Sequence, residues 1–405
     1  MKLAASSALI AAVLGAAGVA APASAAVRAS SPATFATING SGSSWAALAI
    51  DVWAQDLRPK GLVANYNPDG SAAGRGDYSA AQDDFAASDV AFRNGKDKLA
   101  GTKREIVPFG YSYMPDVGDG VTFIYHLRIG GHLIRNLRLS GRTLMEIFTG
   151  RITNWDSPQI ARDYGAKLPN LKITPVVPSD GAGTTYFFTR WMAHVFARPW
   201  NAFCLRVTRS RVKPPCGPTE LYPTHGSGWH PVAENGANNL VTYVAASHSN
   251  GAIGYVPYAY AVNAKLPVLK LRNPAGRFVA PTPVAVTTAL TRAVIDENRH
   301  SPTVGQENLD AVYTDHNPNS YPLAYYGYWI VPRSGTKLPP QFTRAKGRSL
   351  STLLDFALCA GQRQVAALGY GRLPRNLVAG GLREVGHIPG HVRVPTLARC
   401  MARRR

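Results

Sequence analysis

Residues 172–195 have the sequence KITPVVPSDGAGTTYFFTRWMAHV, and this stretch decides the fold. Lys172–Val177 has the apolar, β-branched composition of a strand, and Tyr186–Val195 has the apolar spacing of a helix. A Gly- and Thr-rich turn joins the two. The same order of strand, turn and helix recurs from Thr37 onward, which predicts an α/β fold in which helices cover sheets.

Three turns of this kind combine glycine with serine or threonine: Gly40–Trp45, Gly70–Gly74 and Gly181–Thr184. Glycine lets the backbone approach a ligand closely, and a helix start presents unpaired N–H groups with a partial positive charge. Ser43 or Ser44 is the expected N-cap of the helix after the first turn. Such turns also occur as simple caps, but three in one chain favour an anion-binding cleft.

Asp89 ends the predicted strand Asp84–Asp89, at the position where a ligand-binding loop would begin. A carboxylate repels an anion unless that anion carries a proton that it can donate. Phosphate carries such a proton near neutral pH and sulfate does not, so one acceptor would select phosphate over sulfate. The alternative interpretation is a turn residue that faces solvent.

The formal net charge of +20 comes from 44 Lys and Arg against 24 Asp and Glu. Such a field attracts a small anion, an anionic cell wall or nucleic acid, and the charge alone does not choose among them. Nothing in the chain resembles a nucleic-acid-binding motif, so we do not expect nucleic acid as a partner.

The N-terminal 25 residues predict a secretory signal peptide: Lys2, an apolar run over Ala8–Ala21, and Ala23-Ser24-Ala25 before the cleavage point. Residues 26–33 are expected to form a flexible lead-in. The first cysteine is Cys204, so a lipid-anchoring cysteine at the start of the mature chain is not expected. The predicted location is secreted or periplasmic.

Four cysteines in an exported chain favour disulfides over a metal site, and three connectivities are possible. The expected pairs are Cys204–Cys216 and Cys359–Cys400, with free buried thiols as the alternative. No spacing resembles a zinc site, and no nucleophile elbow or Walker motif occurs. We therefore expect neither a metal, a cofactor nor an enzyme, although a phosphoester hydrolase on the same fold is a weaker alternative.

Seven segments carry a resemblance to a known family: INGSGSSW (38–45), NYNPDGSAAG (65–74), DFAASD (84–89), IFTGRITNWDSPQIA (147–161), SDGAGTTYFFT (179–189), GAIGYVPYAYA (251–261) and LGYGRLPRNLV (368–378). In this order they resemble the phosphate-specific substrate-binding proteins of ABC transporters, most closely the actinobacterial members. The resemblance spans residues 38–378.

The resemblance implies a two-lobed α/β periplasmic-binding-protein fold of type II, with two crossing strands between the lobes. Lobe one would comprise residues 34–115 and 258–400. Lobe two would comprise residues 116–257, including an irregular insertion at 199–235. A protein of this family captures inorganic phosphate as a monomer and delivers it to an ABC permease without chemical change.

The family's ligand contacts map onto Ser44, the backbone N–H of Trp45, Ser71, Asp89, Gly183 and Thr184. Two positions depart from the family pattern, since Pro178 replaces an arginine and Ala182 replaces a serine. Asp180, which often pairs with that arginine, remains. Arg75 is the candidate replacement cation, and its alternative role is a solvated turn residue.

The two departures leave a second interpretation open. The cleft is then degenerate, and the protein binds an anionic cell-wall polymer or another phosphorylated ligand.

Overall fold

The computed structural model describes residues 35–226, 228 and 230–404, so the predicted signal peptide and lead-in lie outside the described residues. The strands are β1 Ile38–Gly42, β2 Ala64–Asn67, β3 Phe85–Ser88, β4 Tyr111–Gly120, β5 Thr122–His126, β6 Arg128–Ile129, β7 His132–Leu133, β8 Arg138–Leu139, β9 Thr174–Pro178, β10 Val232–Glu234, β11 Ala252–Val256, β12 Lys270–Arg272, β13 Phe278–Val279, β14 Val294–Ile295, β15 Glu307–Asn308 and β16 Ala324–Pro332.

The α-helices alternate with these strands along the chain. They are α1 Ala47–Leu57, α2 Ser71–Ser79, α3 Gly141–Phe148, α4 Pro158–Tyr164, α5 Gly183–Val195, α6 Ala197–Val207, α7 Gly236–Ala245, α8 Tyr258–Asn263, α9 Pro283–Leu290, α10 Asp310–Tyr313, α11 Arg344–Leu358, α12 Arg375–Val385 and α13 Leu397–Ala402. None of the described helices is both long and apolar enough to cross a membrane.

Two main sheets organise the chain. The first has the order β2-β1-β3-β16-β4, in which β1, β2 and β3 are parallel and β16 is antiparallel to both of its neighbours. The second has the order β10-β9-β11-β5, in which only β5 is antiparallel. Loops that follow parallel strands collect at one sheet edge, where α/β proteins bind ligands. The predicted α/β class and its two lobes are confirmed.

The chain passes from the first sheet to the second just after β4, so residues 116–120, which were expected in lobe two, lie in the first sheet. β4 belongs to the first sheet and β5 to the second, and only Val121 separates them. Val121 N–H donates to Leu323 O at 3.1 Å, which holds this crossing against the segment before β16. After β11 the chain stays beside the second sheet, since Ala261 packs in the same buried cluster as Ile124 and Val256. Hereafter the first and second lobes are the parts of the chain built on the first and second sheets.

Lys270–Arg272 pairs with β8 in a small sheet of order β13-β12-β8. The preceding residue, Leu269, donates its N–H to Phe123 O on β5 at 2.9 Å. This segment, predicted for lobe one, therefore hydrogen-bonds to strands of the second lobe. The lobe boundaries themselves stay a prediction.

Two predicted element boundaries differ from the structure. The amphipathic spacing of residues 350–368 predicts one long helix. The structure has α11 there, which ends at Leu358 because the backbone of Cys359 leaves the helical region (φ −106°, ψ −99°). The insertion predicted as irregular from residue 199 begins inside α6. Pro199 lies in the first turn of that helix, where its missing N–H costs no hydrogen bond.

Both expected disulfides are present, between Cys204 and Cys216 and between Cys359 and Cys400. The first closes a short loop after α6, and the second ties α13 to the end of α11. The aromatic segment of α5 forms part of the core: Phe187 and Phe188 are buried, and Phe188 packs edge-on to Phe123 at 5.0 Å between ring centroids.

Candidate functional site

The three predicted Gly- and Ser-rich turns meet at Asp89, just after β3. Ser43 Oγ donates to Asp89 Oδ1 at 2.5 Å, and Asp89 N–H donates to Ser71 Oγ at 3.0 Å. Gly183, at the start of α5, lies directly against the Asp89 side chain, since a methyl group on Gly183 would fall 2.2 Å from Asp89 Cβ. The carboxyl group is therefore enclosed by contributions from both lobes.

Glycine is required where the first two turns touch. Gly42 has φ +128°, and a Cβ there would lie 2.0 Å from Ala87 O. A Cβ on Gly74 would lie 2.4 Å from the Cα of Gly42. Gly70 N–H donates to Gly42 O at 2.7 Å. These contacts fix the start of α2 beside the end of β1, which places Ser71 on Asp89.

Burial and polar contacts have opposite effects on the pKa of Asp89. The residue is 6% exposed, and burial raises its pKa to about 6, while the hydroxyls of Ser43 and Ser71 and the charge of Arg75 lower it. The starts of α2 and α5 direct partial positive charge toward this carboxyl group. At pH 7 it is mostly ionised, so it can accept a proton donated by a ligand.

Ser44 does not join this cluster in the structure. Its side chain is exposed and its hydroxyl neighbours that of Tyr260, whereas Ser43 is 1% exposed and faces Asp89. Ser43 Oγ also accepts from Ala46 N–H at 3.3 Å, but α1 begins at Ala47 with Ala46 as its N-cap, so the prediction that Ser43 or Ser44 caps this helix is wrong. From the sequence, Ser43 is a candidate cap only and is not part of the predicted ligand set.

Trp45 lies behind the first turn. Its ring packs against Tyr325 and Tyr370, with centroids 5.3 and 5.6 Å apart, and its carbonyl oxygen accepts from the Tyr370 hydroxyl. Thr184 is buried in the first turn of α5, while its neighbour Thr185 bonds through its hydroxyl to Tyr255 at 2.9 Å. Thr185 is thus committed to the core of the second lobe.

The two departures from the family pattern, Pro178 and Ala182, lie at and just before the third turn. Pro178 ends β9 opposite Glu234 of β10. The arginine expected to pair with Asp180 is replaced by Pro178. The Asp180 carboxylate instead accepts a hydrogen bond of 2.8 Å from Gly236 N–H, at the start of α7. Ala182 occupies the N-cap position of α5 with extended backbone and provides no side-chain cap. Its N–H donates to Glu220 O at 3.0 Å.

Arg75 is fully buried, and each nitrogen of its guanidinium has a protein acceptor. Nε donates to Glu105 Oε2 at 3.1 Å, and Nη2 donates to Glu220 Oε2 at 2.9 Å. Nη1 donates to Ser88 Oγ at 3.0 Å and to Val90 O at 3.2 Å. Arg75 is therefore not a solvated turn residue, because it is buried in an ion-pair network and bonds to Ser88, the residue that precedes Asp89.

Two further acids near the site are absent from the sequence-based set. Asp116 and Asp119 lie on β4 and are 1% and 0% exposed. Burial raises the pKa of Asp119 to about 8, and it holds the pKa of Asp116 well above its usual range, with the charge of Asp89 adding to both shifts. The signal that could have identified these two acids is the presence of two carboxyl groups within the short run Met114–Val121, most of which forms a buried strand.

Metal ligands do not form a cluster here. Among the residues that the structure describes, no group of three or more His, Cys, Asp or Glu side chains is arranged to hold a metal ion.

The fold and the site together define a class of protein. The chain matches the family model described as the PBP superfamily domain over residues 25–360, and it belongs to that family.

Individual relatives narrow the class. The phosphate-binding protein PstS of Methanocaldococcus jannaschii is 26% identical over 361 residues, covering 87% of this chain and 86% of the relative. The phosphate-binding protein PstS 3 of Mycobacterium tuberculosis is 28% identical over 320 residues, covering 78% and 76%. A periplasmic phosphate-binding protein (PfluDING) solved with phosphate bound shares the fold, with a TM-score of 0.58 and 17% identity over 85% of this chain and 92% of that one.

Proposed function

We propose that this protein binds inorganic phosphate outside the cytoplasmic membrane and delivers it to an ABC permease. The observation that carries the proposal is the placement of Asp89, where two hydroxyl-bearing turns and the start of α5 converge on one buried acceptor. The names of the relatives support the same ligand.

Phosphate would bind at the Asp89 carboxyl group, where the donors of the three turns converge. Because Gly183 lies against Asp89 in this structure, the two lobes must separate before phosphate can enter. The proposed donors come from the three turns, and they are the Trp45 N–H, Ser71, the Gly183 N–H and Thr184. Ser44, predicted as a donor, has its hydroxyl at Tyr260 instead, and Arg75, whose nitrogens all have protein acceptors, contributes its charge alone. Asp89 accepts the proton of the ligand, and no covalent step is involved.

The same proposal includes how the protein is exported, its oligomeric state and its independence of a cofactor. The chain is exported by its N-terminal signal peptide and works as a monomer, without a cofactor. Binding and lobe closure are the whole event, so the protein does not act as an enzyme.

Titration calorimetry with phosphate and sulfate tests the proposal. The wild type should bind phosphate and give no heat with sulfate. D89N should bind phosphate at least about tenfold more weakly, because a hydrogen bond to a charged acceptor contributes about 1.5–3 kcal/mol. It should also accept sulfate, since the repelling carboxylate is gone. D56N changes an exposed carboxyl on α1 and should match the wild type. Absence of phosphate binding by the wild type would contradict the proposal.

A surface groove supports a second candidate function, the binding of an anionic cell-wall polymer. The groove has a volume of about 650 Å³, and none of the described residues that line it is acidic. Its cations are Arg138, Lys270 and Arg277, none of which forms an ion pair in the described part of the chain. Arg138 and Lys270 are directly opposed in the β8–β12 register, where like charges repel unless an anion lies between them.

Aromatic rings complete this groove. Tyr164 and Phe278 line it, and the Arg138 guanidinium lies 5.3 Å from the Phe278 ring centroid, which holds that cation in place. Flat rings beside cations suit a polymer of sugars and phosphates.

Co-sedimentation with isolated cell wall tests the second candidate. The variant R138Q/K270Q/R277Q should bind at least about tenfold more weakly than a control with the same charge change at exposed arginines elsewhere, since only a localised site makes position matter. That control is R299Q/R348Q/R393Q. Equal losses in the two variants would mean that wall binding follows net charge alone, which contradicts a localised groove site.

A further inference from the structure

Four charged side chains form a closed ring of ion pairs beside Asp89. Arg75 contacts Glu105 at 3.1 Å and Glu220 at 2.9 Å. Arg93 contacts the same two carboxylates, each at 3.0 Å. The four formal charges sum to zero, and each carboxylate is shared by two guanidinium groups. We call this set the Arg–Glu ring.

Three members of the ring belong to the first lobe and one belongs to the second. Arg75 lies on α2, while Arg93 and Glu105 lie between β3 and β4 and are joined by the bond from Glu105 N–H to Arg93 O at 2.9 Å. Glu220 lies between α6 and β10. Its carbonyl accepts from Ala182 N–H at the start of α5, so it moves with the second lobe.

We propose that Glu220 is a positioning residue that stabilises the closed arrangement of the lobes, and that it does so through Arg75 rather than by touching the ligand. Both Glu220 oxygens are used, Oε2 by Arg75 and Oε1 by Arg93, and the side chain is 5% exposed. These contacts exist only while the second lobe lies on the first. A contact confined to one of two states shifts the population toward that state.

The ring also accounts for the unusual third turn. In the family pattern the cation stands on the second lobe, at the position of Pro178. Here the cation Arg75 stands on the first lobe, and the second lobe supplies the carboxylate instead. The family arginine is expected to pair with Asp180 on its own lobe, whereas the pair of Arg75 with Glu220 joins the two lobes.

Opening of the lobes has an electrostatic consequence. When Glu220 leaves, Arg75 and Arg93 remain with Glu105 alone, so the exposed wall beside Asp89 gains one net positive charge. The open cleft then attracts an anion more strongly than the closed one. A second interlobe pair, Arg190 with Glu307 at 3.3 Å, also favours closure, so loss of Glu220 should shift the equilibrium rather than abolish closure.

The test compares E220Q with E105Q. Each variant removes one carboxylate from the same ring and shares the same two arginines, but only Glu220 joins the lobes. Small-angle X-ray scattering without phosphate should give a larger radius of gyration for E220Q than for the wild type. E105Q should keep the radius of the wild type.

The phosphate readout rests on the proposed function, whereas the scattering readout does not. E220Q should bind phosphate at least about fivefold more weakly than E105Q, because the coupling between closure and binding is lost. An unchanged radius for E220Q, or equal increases for E220Q and E105Q, would overturn the proposal. If E220Q does not fold, E220D keeps the charge but shortens its reach by one methylene, and the same increase in radius is expected.

Discussion

Three carboxyl groups lie buried within electrostatic reach of one another at the crossing between the lobes. Asp89 faces the cleft, while Asp116 and Asp119 lie on β4. Asp119 Oδ1 accepts from Gly120 N–H at 2.7 Å, and Oδ2 accepts from Tyr258 N–H at 3.3 Å. Burial still raises the pKa of Asp119 to about 8, so the native protein holds a proton there near neutrality.

Replacement of Asp119 by Asn should make stability less dependent on pH. Because the native pKa of about 8 lies above the unfolded value, the native state binds more protons between about pH 4 and 8. Stability therefore falls as the pH rises through that window, by up to about 5 kcal/mol for this group. Urea denaturation at pH 5 and pH 8 should show a smaller loss of stability for D119N, because Asn does not titrate. Its amide oxygen can still accept the bond from Gly120 N–H, so the variant should fold.

The control for this measurement is D56N, which alters an exposed carboxyl and should lose as much stability as the wild type between the two pH values. Asp89, Asp116 and Glu307, whose pKa values burial also raises, still titrate in D119N, so a smaller residual loss is expected between pH 5 and pH 8. Equal losses for D119N and the wild type would show that Asp119 is ionised in the native protein.

Helix α5 enters the cleft with an uncapped first turn. Ala182 occupies the N-cap position with φ −109° and ψ 136°, the extended backbone that a capping serine adopts. The backbone is therefore ready for a serine that the chain does not have.

The variant A182S should bind phosphate more tightly and unfold at a higher temperature. A serine cap in place of alanine contributes about 0.5–2 kcal/mol to a helix, and its hydroxyl adds a donor of about 1 kcal/mol beside the ligand. We expect about fivefold tighter binding in calorimetry. A193S makes the same substitution in the interior of the same helix and should improve neither quantity. Equal affinities for A182S and A193S would argue that phosphate does not contact this turn.

The elements that the sequence predicts best are the three turns, because Gly42 and Gly74 leave the backbone few alternatives. Which hydroxyl faces Asp89 could not be predicted, because a shift of one residue within a turn exchanges Ser43 for Ser44 without changing its composition. The role of Glu220 was also missed. Its partner Arg75 is 145 residues away, and no local pattern links positions that only the closed fold brings together.

At the scale of the whole molecule, charge is distributed in two ways. The chain carries a formal net charge of +20. The Arg–Glu ring, by contrast, is neutral and largely buried, so salt screens it little. The long-range field should therefore govern how fast an anion arrives, and the buried contacts should govern how long it stays.

Stopped-flow fluorescence at increasing chloride concentration separates these two effects. The Debye length falls from about 30 Å at 0.01 M to about 10 Å at 0.1 M, which removes most of the attraction beyond the cleft mouth. The association rate of phosphate should then fall by about three- to tenfold, while its dissociation rate changes by less than about twofold. R299Q/R348Q/R393Q lowers the net charge by three at exposed positions and should show a weaker salt dependence of association. A dissociation rate that changes more than the association rate would mean that phosphate is held by exposed charges, not by the enclosed site at Asp89.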